Sequence, residues 1–334
     1  MGDGRGTDAT TDDLWAALGL WEEHVREVRF VARGEGTVGA LLAARLRGWP
    51  EEEIRFALAR SGALGAEGDG ARPLVPGDEV LMRRVVREPR VPVRWHVVHE
   101  DARVVVVDKG PGYPVHPAGA FVERTLLRAM RRGGYDVHPV HRLDRETSGL
   151  VVLARDRSTL RDLSETWGSV RKRYLAMVAP APDWDVLSTR APVGPARGAE
   201  QVRQQVRSDG KEAVTHLRVL RRSPRAALIS CEPETGRQHQ IRVHLAALGC
   251  PLVGDKLYRD DPLYLRLARG EATAEELRGL GHPRHALHAA ELWLADGLHL
   301  VTPLPADLRE LAAALGLPDG GNEVSPQAAG CPSR

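Results

Sequence analysis

The hydrophobic and polar positions of residues 95–318 predict short strands that alternate irregularly with short helices. Apolar runs of strand length, bounded by turn residues, lie at 104–108, 150–154, 174–178, 213–220 and 226–231, and helical spacing covers 123–132, 158–167 and 237–248. The gap between the last two strands is too short for a crossover helix, so they should pair as a hairpin. The pattern predicts an α+β domain with an antiparallel or mixed sheet.

A smaller pattern of the same kind occupies residues 28–88. A strand-like run at 28–31 precedes helical spacing at 38–46 and 54–58, and a strand at 79–82 closes the segment. Two prolines mark a linker at 89–94. Residues 1–27 hold seven acidic and two basic side chains and are predicted to be a flexible acidic tail, in which the apolar patch from Leu14 to Trp21 could form a loose helix. Residues 319–334 are predicted to be disordered. We therefore expect a small α+β module followed by a main domain at 95–318.

Composition indicates the class of protein. The 334 residues, 42% hydrophobic and 28% charged, suit a globular chain with room for about two domains. No apolar run approaches the roughly 20 residues that cross a bilayer, and three widely spaced cysteines favour a reducing compartment. We therefore expect a cytoplasmic protein without a membrane segment. The net charge is only +2, but residues 123–173 hold twelve basic and seven acidic side chains, as a phosphate-binding or a solvated surface would.

Common cofactor and metal motifs are absent or incomplete in the sequence. Residues 34–39 match GxGxxG, but the helix that follows leads into another helix, whereas a dinucleotide site requires a second strand there. His282, His285 and His288 recur every third position without an evident acidic or cysteine partner, which favours packed histidines over metal ligands. The sequence therefore predicts no cofactor and no metal.

One polar turn has the composition of a catalytic site. Asp144 lies between Arg142 and Arg145 in a turn that leads through Thr-Ser-Gly into an apolar strand. The flanking cations favour the ionised carboxylate, which could act as a nucleophile or as a base. A salt-bridged turn without catalytic function has the same composition, so this segment alone decides nothing.

Two further segments complement the turn. A basic run at 171–173 ends at Tyr174, a composition suited to holding a phosphate beside a stacked base, or to a solvated strand edge. Thr235 is expected to cap a helix in which Gln238 and Arg242 share a face, so that Arg242 could approach the turn. A plain amphipathic helix is the alternative for this segment.

Together, these segments resemble the RluA-type family of RNA pseudouridine synthases. The family signature HRLDxxTSGL is complete at 141–150, and TGRxHQIRVH followed by GxPxxGDxxY occupies 235–258. The strand pattern KxYxAxV occurs at 172–178, and KxxGxPVHP occurs at 109–117. Residues 28–87 also resemble a degenerate S4-type RNA-binding module. The resemblance covers about 95–305 and implies a mixed, largely antiparallel sheet of the pseudouridine synthase type with flanking helices.

The resemblance implies isomerisation of uridine to pseudouridine in RNA: the C1′–N1 bond breaks, the uracil turns over, and C5 bonds to C1′. Asp144 matches the catalytic aspartate, Arg242 the arginine that pairs with it, and Tyr174 the residue that stacks on uracil. Whether Asp144 attacks C1′ or the ring, or removes the 2′ proton, stays open. Arg142 matches the side chain that fills the space left by a flipped nucleotide. The remaining residues expected to bind RNA or substrate are His141, Ile241, Arg237, Lys172 and Arg173.

The partner expected from this resemblance is RNA, with ribosomal RNA ahead of transfer RNA, and the chain is expected to be a monomer. Two alternatives stay open from the sequence. The same fold could serve a non-catalytic RNA-binding or ribosome-assembly protein, although such a protein has no chemical need for Asp144, Tyr174 and Arg242 together. A uracil glycosylase or nucleosidase would instead release free base.

Overall fold

The computed structural model describes residues 9–17, 21–45, 72–119, 121–197, 203–259, 263, 266 and 271–317. The chain divides into two units, one comprising Gly19–Arg90 and the other comprising Met1–Leu18 with Val91–Arg334. None of the described helices is both long and apolar enough to cross a membrane.

The smaller unit is built on one long antiparallel pair, β1 (Trp21–Val31) with β4 (Glu79–Pro89). The short strands β2 (Gly36–Thr37) and β3 (Pro73–Leu74) also pair, and α2 (Val38–Arg45) follows β2 and buries Val38 and Leu42. The strand predicted at 28–31 begins at Trp21 because β4 supplies a paired residue along its whole length. The helix predicted at 54–58 lies outside the described residues.

The larger unit contains a ten-stranded sheet that follows the order β10-β13-β14-β9-β15-β8-β6-β5, with β16 on β15 and β7 on β8. Neighbouring strands are antiparallel except for the parallel pair β8 and β15. This confirms the predicted α+β class with a mixed, largely antiparallel sheet. The strands are β5 (Trp95–Glu100), β6 (Val104–Lys109), β7 (His138–Pro139), β8 (Ser148–Ala154), β9 (Arg171–Val178), β10 (Val186–Thr189), β13 (Thr215–Arg222), β14 (Ala227–Pro233), β15 (Leu287–Trp293) and β16 (His299–Val301). A separate hairpin joins β11 (Val193–Pro195) and β12 (Gln204–Val206).

Helices flank this sheet: α1 (Thr11–Ala17), α3 (Leu126–Arg132), α4 (Arg157–Thr166), α5 (Gln240–Ala247), α6 (Ala274–Gly279) and α7 (Ala306–Ala314). The predicted helices at 123–132 and 158–167 begin where side chains cap them, at Thr125 and Asp156. Within the segment expected to be a flexible tail, α1 buries Leu14, and Thr11 donates from its backbone N and hydroxyl to Glu310 on α7. These contacts order this part of the N-terminal segment.

Strand β8 lies between β15 and β6 in the sheet, and every residue of β8 is buried. Because side chains alternate along a strand, Val151 and Leu153 pack on one face with α3, while Leu150 and Val152 pack on the other. The backbone pairing with β6, from Gly149 opposite Lys109 to Ala154 opposite Val104, sets the register of β8. It therefore also fixes the position of the turn that precedes β8.

Candidate active site

A cavity of about 550 Å³ opens where three segments meet: the turn before β8, strand β9, and the segment that leads into α5. Most of the residues expected at the site line this cavity, namely His141, Arg142, Asp144, Lys172, Tyr174, Arg237, Ile241 and Arg242. The fold thus brings together residues that are far apart in the chain. Arg173 does not line the cavity.

The turn that carries Asp144 is held by its own backbone and by a buried lysine. Thr147 N donates to Asp144 O at 3.1 Å. The Lys109 ammonium, fully buried, donates to Arg145 O at 3.3 Å and to two carbonyls of its own loop. Gly149 has φ +112°, and a Cβ there would lie 2.3 Å from Ala289 O on the parallel strand β15. This position therefore requires glycine.

Arg242 connects Asp144 to a second carboxylate. Its Nη1 donates to Asp144 Oδ2 at 3.0 Å, while Nε and Nη2 donate to the two oxygens of Asp255 at 2.8 and 2.9 Å. Burial by itself raises the pKa of Asp144, but the charge of Arg242, its hydrogen bond and the neighbouring histidines together outweigh burial, and the pKa lies below its ordinary value. Within the described residues no hydrogen bond reaches Asp144 Oδ1, and the side chain is 28% exposed. The carboxylate is ionised and has one oxygen available to a substrate.

Asp255 is a site residue that the sequence analysis quoted within GDxxY without assigning it a role. Its Oδ1 also accepts from the backbone N of Leu257 and Tyr258, at 2.9 and 3.1 Å. Burial raises the pKa of Asp255, but the charge and hydrogen bonds of Arg242, with smaller contributions from its other neighbours, outweigh burial and lower the pKa to about 2. Gly254, with φ +77°, lets the chain pass against Arg284 O, where a Cβ would lie 2.1 Å away. In the sequence, the available signal for this site was an acidic residue directly after a glycine.

The helix predicted from 237 begins at Gln240, and Thr235 does not cap it. The Thr235 hydroxyl instead donates to Gln240 Oε1 at 2.7 Å and accepts from Val214 N at 3.0 Å. The capping residue is His239, in the left-handed region at φ 56°. Gln238 consequently lies outside α5 and does not share a helical face with Arg242. The prediction was wrong because the Gln240 side chain turns back to accept from Arg237 N at 3.0 Å, closing a turn before the helix.

His239 and Tyr258 form a pair beside Asp144 that the sequence analysis also missed. His239 Nδ1 lies 2.8 Å from the Tyr258 hydroxyl, and Nε2 lies 3.8 Å from Asp144 Oδ2. The Tyr258 hydroxyl accepts from Gln204 N on β12 at 2.9 Å, and its ring lies 5.0 Å from the Arg242 guanidinium carbon. Both residues lie in the motif blocks at 235–258, but the sequence does not show that they lie next to Asp144.

Tyr174 and Ile241 supply the apolar surfaces of the cavity. Tyr174 lies on β9 opposite Cys231 and Ala289 of the neighbouring strands, and it packs against two core clusters. Burial raises the pKa of its hydroxyl, and the negative charge of Asp144 acts in the same direction. The phenol is therefore neutral at physiological pH, with its ring at the cavity wall.

Alternation along β9 separates the basic residues that precede Tyr174. Lys172 shares the face of Tyr174 and donates from Nζ to Trp167 O at 3.2 Å. Arg173 points to the opposite face, where it donates to Glu232 at 3.0 Å and to Glu291 at 2.6 Å. The side chains of Lys172 and Arg173 thus lie on opposite faces of β9, and Arg173 lies outside the cavity.

His141, Arg142 and Arg237 differ in what they contact. His141 stacks on Trp167, with ring centroids 4.3 Å apart, and its Nε2 accepts from Val152 N at 3.0 Å. Burial lowers the pKa of His141 to about 3, so the ring is neutral. Arg142 is exposed, and Arg237 is exposed with Nε donating to Glu212 O at 2.9 Å. The two arginines are therefore accessible to a ligand, whereas the His141 ring is occupied by its contacts with Trp167 and with the backbone of β8.

The three histidines at 282, 285 and 288 are buried and hydrogen-bonded beneath the Asp144 turn. His285 Nε2 lies 2.7 Å from the Thr147 hydroxyl, His288 Nδ1 lies 2.9 Å from the Ser148 hydroxyl, and His282 Nδ1 lies 2.9 Å from Arg284 O. Within the described ranges, no group of three or more acidic, histidine or cysteine side chains is arranged to hold a metal. His285 and His288 therefore support the end of the turn through these hydrogen bonds, whereas His282 bonds within its own loop.

Comparison with known proteins places this geometry in a family. Residues 103–247 match the sequence profile described as RNA pseudouridylate synthase. The chain is 35% identical over 283 residues to the ribosomal large subunit pseudouridine synthase D of Xanthomonas campestris, covering 77% of this chain and 82% of that protein. It is 33% identical to an uncharacterized RNA pseudouridine synthase, YlyB, of Bacillus subtilis, covering 71% and 79%. The solved structure of human RNA pseudouridylate synthase domain containing 4 superposes with a TM-score of 0.54 at 28% identity, covering 67% and 94%.

Proposed function

The chain belongs to the RNA pseudouridylate synthase family, and on that premise we propose that it isomerises uridine to pseudouridine in ribosomal RNA of the large subunit. It is an isomerase, as the sequence resemblance implied. The observation that carries the proposed site is the ionised Asp144 carboxylate, held by Arg242 at 3.0 Å in a cavity that Tyr174 also lines. The choice of ribosomal RNA rests on relatives named as large-subunit enzymes.

In this proposal Asp144 acts on the reacting nucleoside through its free oxygen. Arg242 keeps the carboxylate ionised and fixes its direction, because its other two donors are anchored on Asp255. The Tyr174 ring holds the uracil while the C1′–N1 bond breaks and the C1′–C5 bond forms. N1 gains a proton and C5 loses one, so the isomerisation needs no external oxidant or reductant.

We also propose that the target uridine leaves its helical stack to enter the cavity. A stacked uridine cannot present C1′ and both ring faces to a pocket, and extrusion costs a few kcal/mol that contacts to the flipped nucleotide must offset. Exposed Arg142, next to Asp144 in the turn, is placed to enter the RNA in its stead. Lys172 and Arg237 are the proposed contacts to the backbone of the flipped nucleotide.

The smaller unit is proposed to be an S4-like RNA-binding module at 28–88, joined by a linker at 89–94. Exposed Arg33 and Arg45 lie on its described surface. We also propose that the protein acts in the cytoplasm and that it is a monomer.

The decisive experiment uses large-subunit ribosomal RNA transcribed with [5-³H]uridine. Formation of the C1′–C5 bond releases the C5 hydrogen to water, so the wild-type chain should release tritium in proportion to pseudouridine formed. A chain that binds this RNA without releasing tritium would be the non-catalytic alternative. Free uracil detected by chromatography would instead indicate a glycosylase. Pseudouridine mapping in total RNA of a deletion strain then identifies the position.

A further inference from the structure

His239 occupies a position whose backbone disfavours a histidine. Its φ of 56° lies in the left-handed region, which only a few per cent of residues other than glycine adopt, although histidine does so more often than most. The residue nevertheless lines the cavity, with only 11% of its side chain exposed. Strained residues of this kind persist where the surroundings fix them, often at functional sites.

The contacts of His239 select one tautomer of its ring. The Tyr258 hydroxyl accepts from Gln204 N at 2.9 Å and can donate its own proton to His239 Nδ1, which lies 2.8 Å away. If Nδ1 accepts, the ring proton is on Nε2, which faces Asp144 Oδ2 at 3.8 Å. The other tautomer would turn a lone pair toward the carboxylate. Burial lowers the pKa of His239 to about 4, so the ring carries only this one N–H at neutral pH.

The Nε2–H group is too far from Asp144 for a direct hydrogen bond of ordinary length. It therefore retains a donor that a substrate group could use, next to the carboxylate that acts on the nucleoside. Each role considered for Asp144, with the exception of attack on the ring, brings its oxygen to C1′ or C2′ of the ribose. The hydroxyl of the sugar nearest to those two carbons is the 2′-hydroxyl, which also distinguishes RNA from DNA.

We infer that His239 is a specificity-determining residue that donates from Nε2 to the 2′-hydroxyl of the target uridine, with Tyr258 holding the required tautomer. This inference rests on the proposed function and deepens it, because it assigns the recognition of ribose at the reacting nucleotide to one side chain. The hydrogen bond would also hold C1′ and C2′ against the free oxygen of Asp144.

The test compares two RNA oligonucleotides that carry the mapped target sequence and differ only in having ribose or 2′-deoxyribose at the target uridine. Binding is measured in the Asp144→Asn background, so that neither oligonucleotide is converted. The parent should bind the ribose form about 10-fold more tightly, the size expected for one hydrogen bond of about 1.4 kcal/mol.

Two substitutions at His239 form a matched pair, because alanine and glutamine face the same left-handed backbone. His239→Ala should reduce the ribose preference to about 1-fold, whereas His239→Gln, whose amide can place a donor near Nε2, should retain part of it. Tyr258→Phe removes the hydroxyl that holds Nδ1 as an acceptor, so both tautomers of His239 become accessible and the preference for ribose should also fall. Circular dichroism of each variant verifies folding.

If His239 has only a structural role, its substitution should weaken the binding of both oligonucleotides equally and leave the ratio of their affinities unchanged. That result, or a parent protein without ribose preference, would overturn the inference. Tritium release by the wild-type chain is measured separately. If the wild-type chain releases tritium but the ratio of the two affinities does not change on substitution of His239, only the inference about His239 fails. If the wild-type chain releases no tritium, the proposed function itself fails.

Discussion

Arg242 Nη1 lies 3.0 Å from Asp144 Oδ2, although 98 positions of the chain separate the two residues. The same guanidinium is anchored on Asp255 through its two remaining nitrogens. One buried cation thus both keeps the carboxylate at the cavity ionised and connects it to the protein interior.

Asp144→Asn should abolish turnover while leaving the fold intact. Asparagine is nearly isosteric and still accepts from Arg242, but it has no ionised oxygen to act on the nucleoside. Tritium release should fall at least about 1,000-fold, as expected when the central group of a catalytic set is removed. RNA binding by filter retention should persist. Turnover near the wild-type rate would remove Asp144 from its proposed role.

Arg242→Met should destabilise the protein as well as inactivate it, because Asp255 would be left buried and uncompensated. Breaking a buried pair on one side costs about 3–5 kcal/mol of unfolding free energy. The double variant Arg242→Met/Asp255→Asn removes both charges and should lose less stability than the single variant. Urea unfolding measures both. Equal losses in the single and double variants would contradict the proposed coupling.

Tyr174→Phe separates the ring of Tyr174 from its hydroxyl. Phenylalanine keeps the stacking surface, so RNA binding should stay within about 2-fold, since packing dominates the contact with a base. A drop of 100-fold or more in single-turnover rate, of about the size typical for acid–base catalysis, would assign proton transfer to the hydroxyl. Tyr174→Leu is the control, and should weaken both binding and rate.

Gly149→Ala should impair folding and activity together. The new Cβ would collide with Ala289 O at 2.3 Å, and φ +112° is unfavourable for alanine in any case. Gly279→Ala is the matched control, because nothing lies within 4 Å of its Cβ position and its helix accepts alanine. Thermal melting should show a lower Tm for the first variant and an unchanged or higher one for the second.

Acid should destabilise the fold through buried neutral histidines. Burial lowers the pKa of His141 and His285 to about 3, and of His239 and His282 to about 4, from an ordinary 6.5. As pH falls below 6.5 the unfolded chain gains protons that the folded chain refuses, so stability declines by about 1.4 kcal/mol per pH unit for each histidine. Urea unfolding between pH 7.5 and 5 measures the slope. His285→Gln should reduce that slope by about one proton, and an unchanged slope would contradict this account.

The local patterns predicted much of the main domain. The strands at 104–108 and 150–154 were recognisable because they are buried on both faces and read as continuous apolar runs. The pairing of β8 with β15 was not recognisable, since a parallel contact between distant segments leaves no local signal. The same limitation explains the N-terminal segment, where α1 is stabilised by contacts to Glu310 near the other end of the described chain.

Within the site, the sequence identified Asp144, Tyr174 and Arg242 through motifs, and their catalytic roles stay predictions. It placed Arg173 with Lys172, although strand alternation sends the two side chains to opposite faces. It also gave Thr235 a capping role that the turn at 237–240 excludes.

By itself, the sequence determined the α+β class, the family and the chemical types available at the site, because these are written in local periodicity and in ordered motif blocks. The tertiary structure alone decided which groups meet. Asp255, His239 and Tyr258 are ordinary residues in the sequence, and they become part of the site only where α5 and the segment after it pack beside the Asp144 turn. Ionisation and tautomer depend on burial and on neighbours distant in the chain, so only the folded protein defines them.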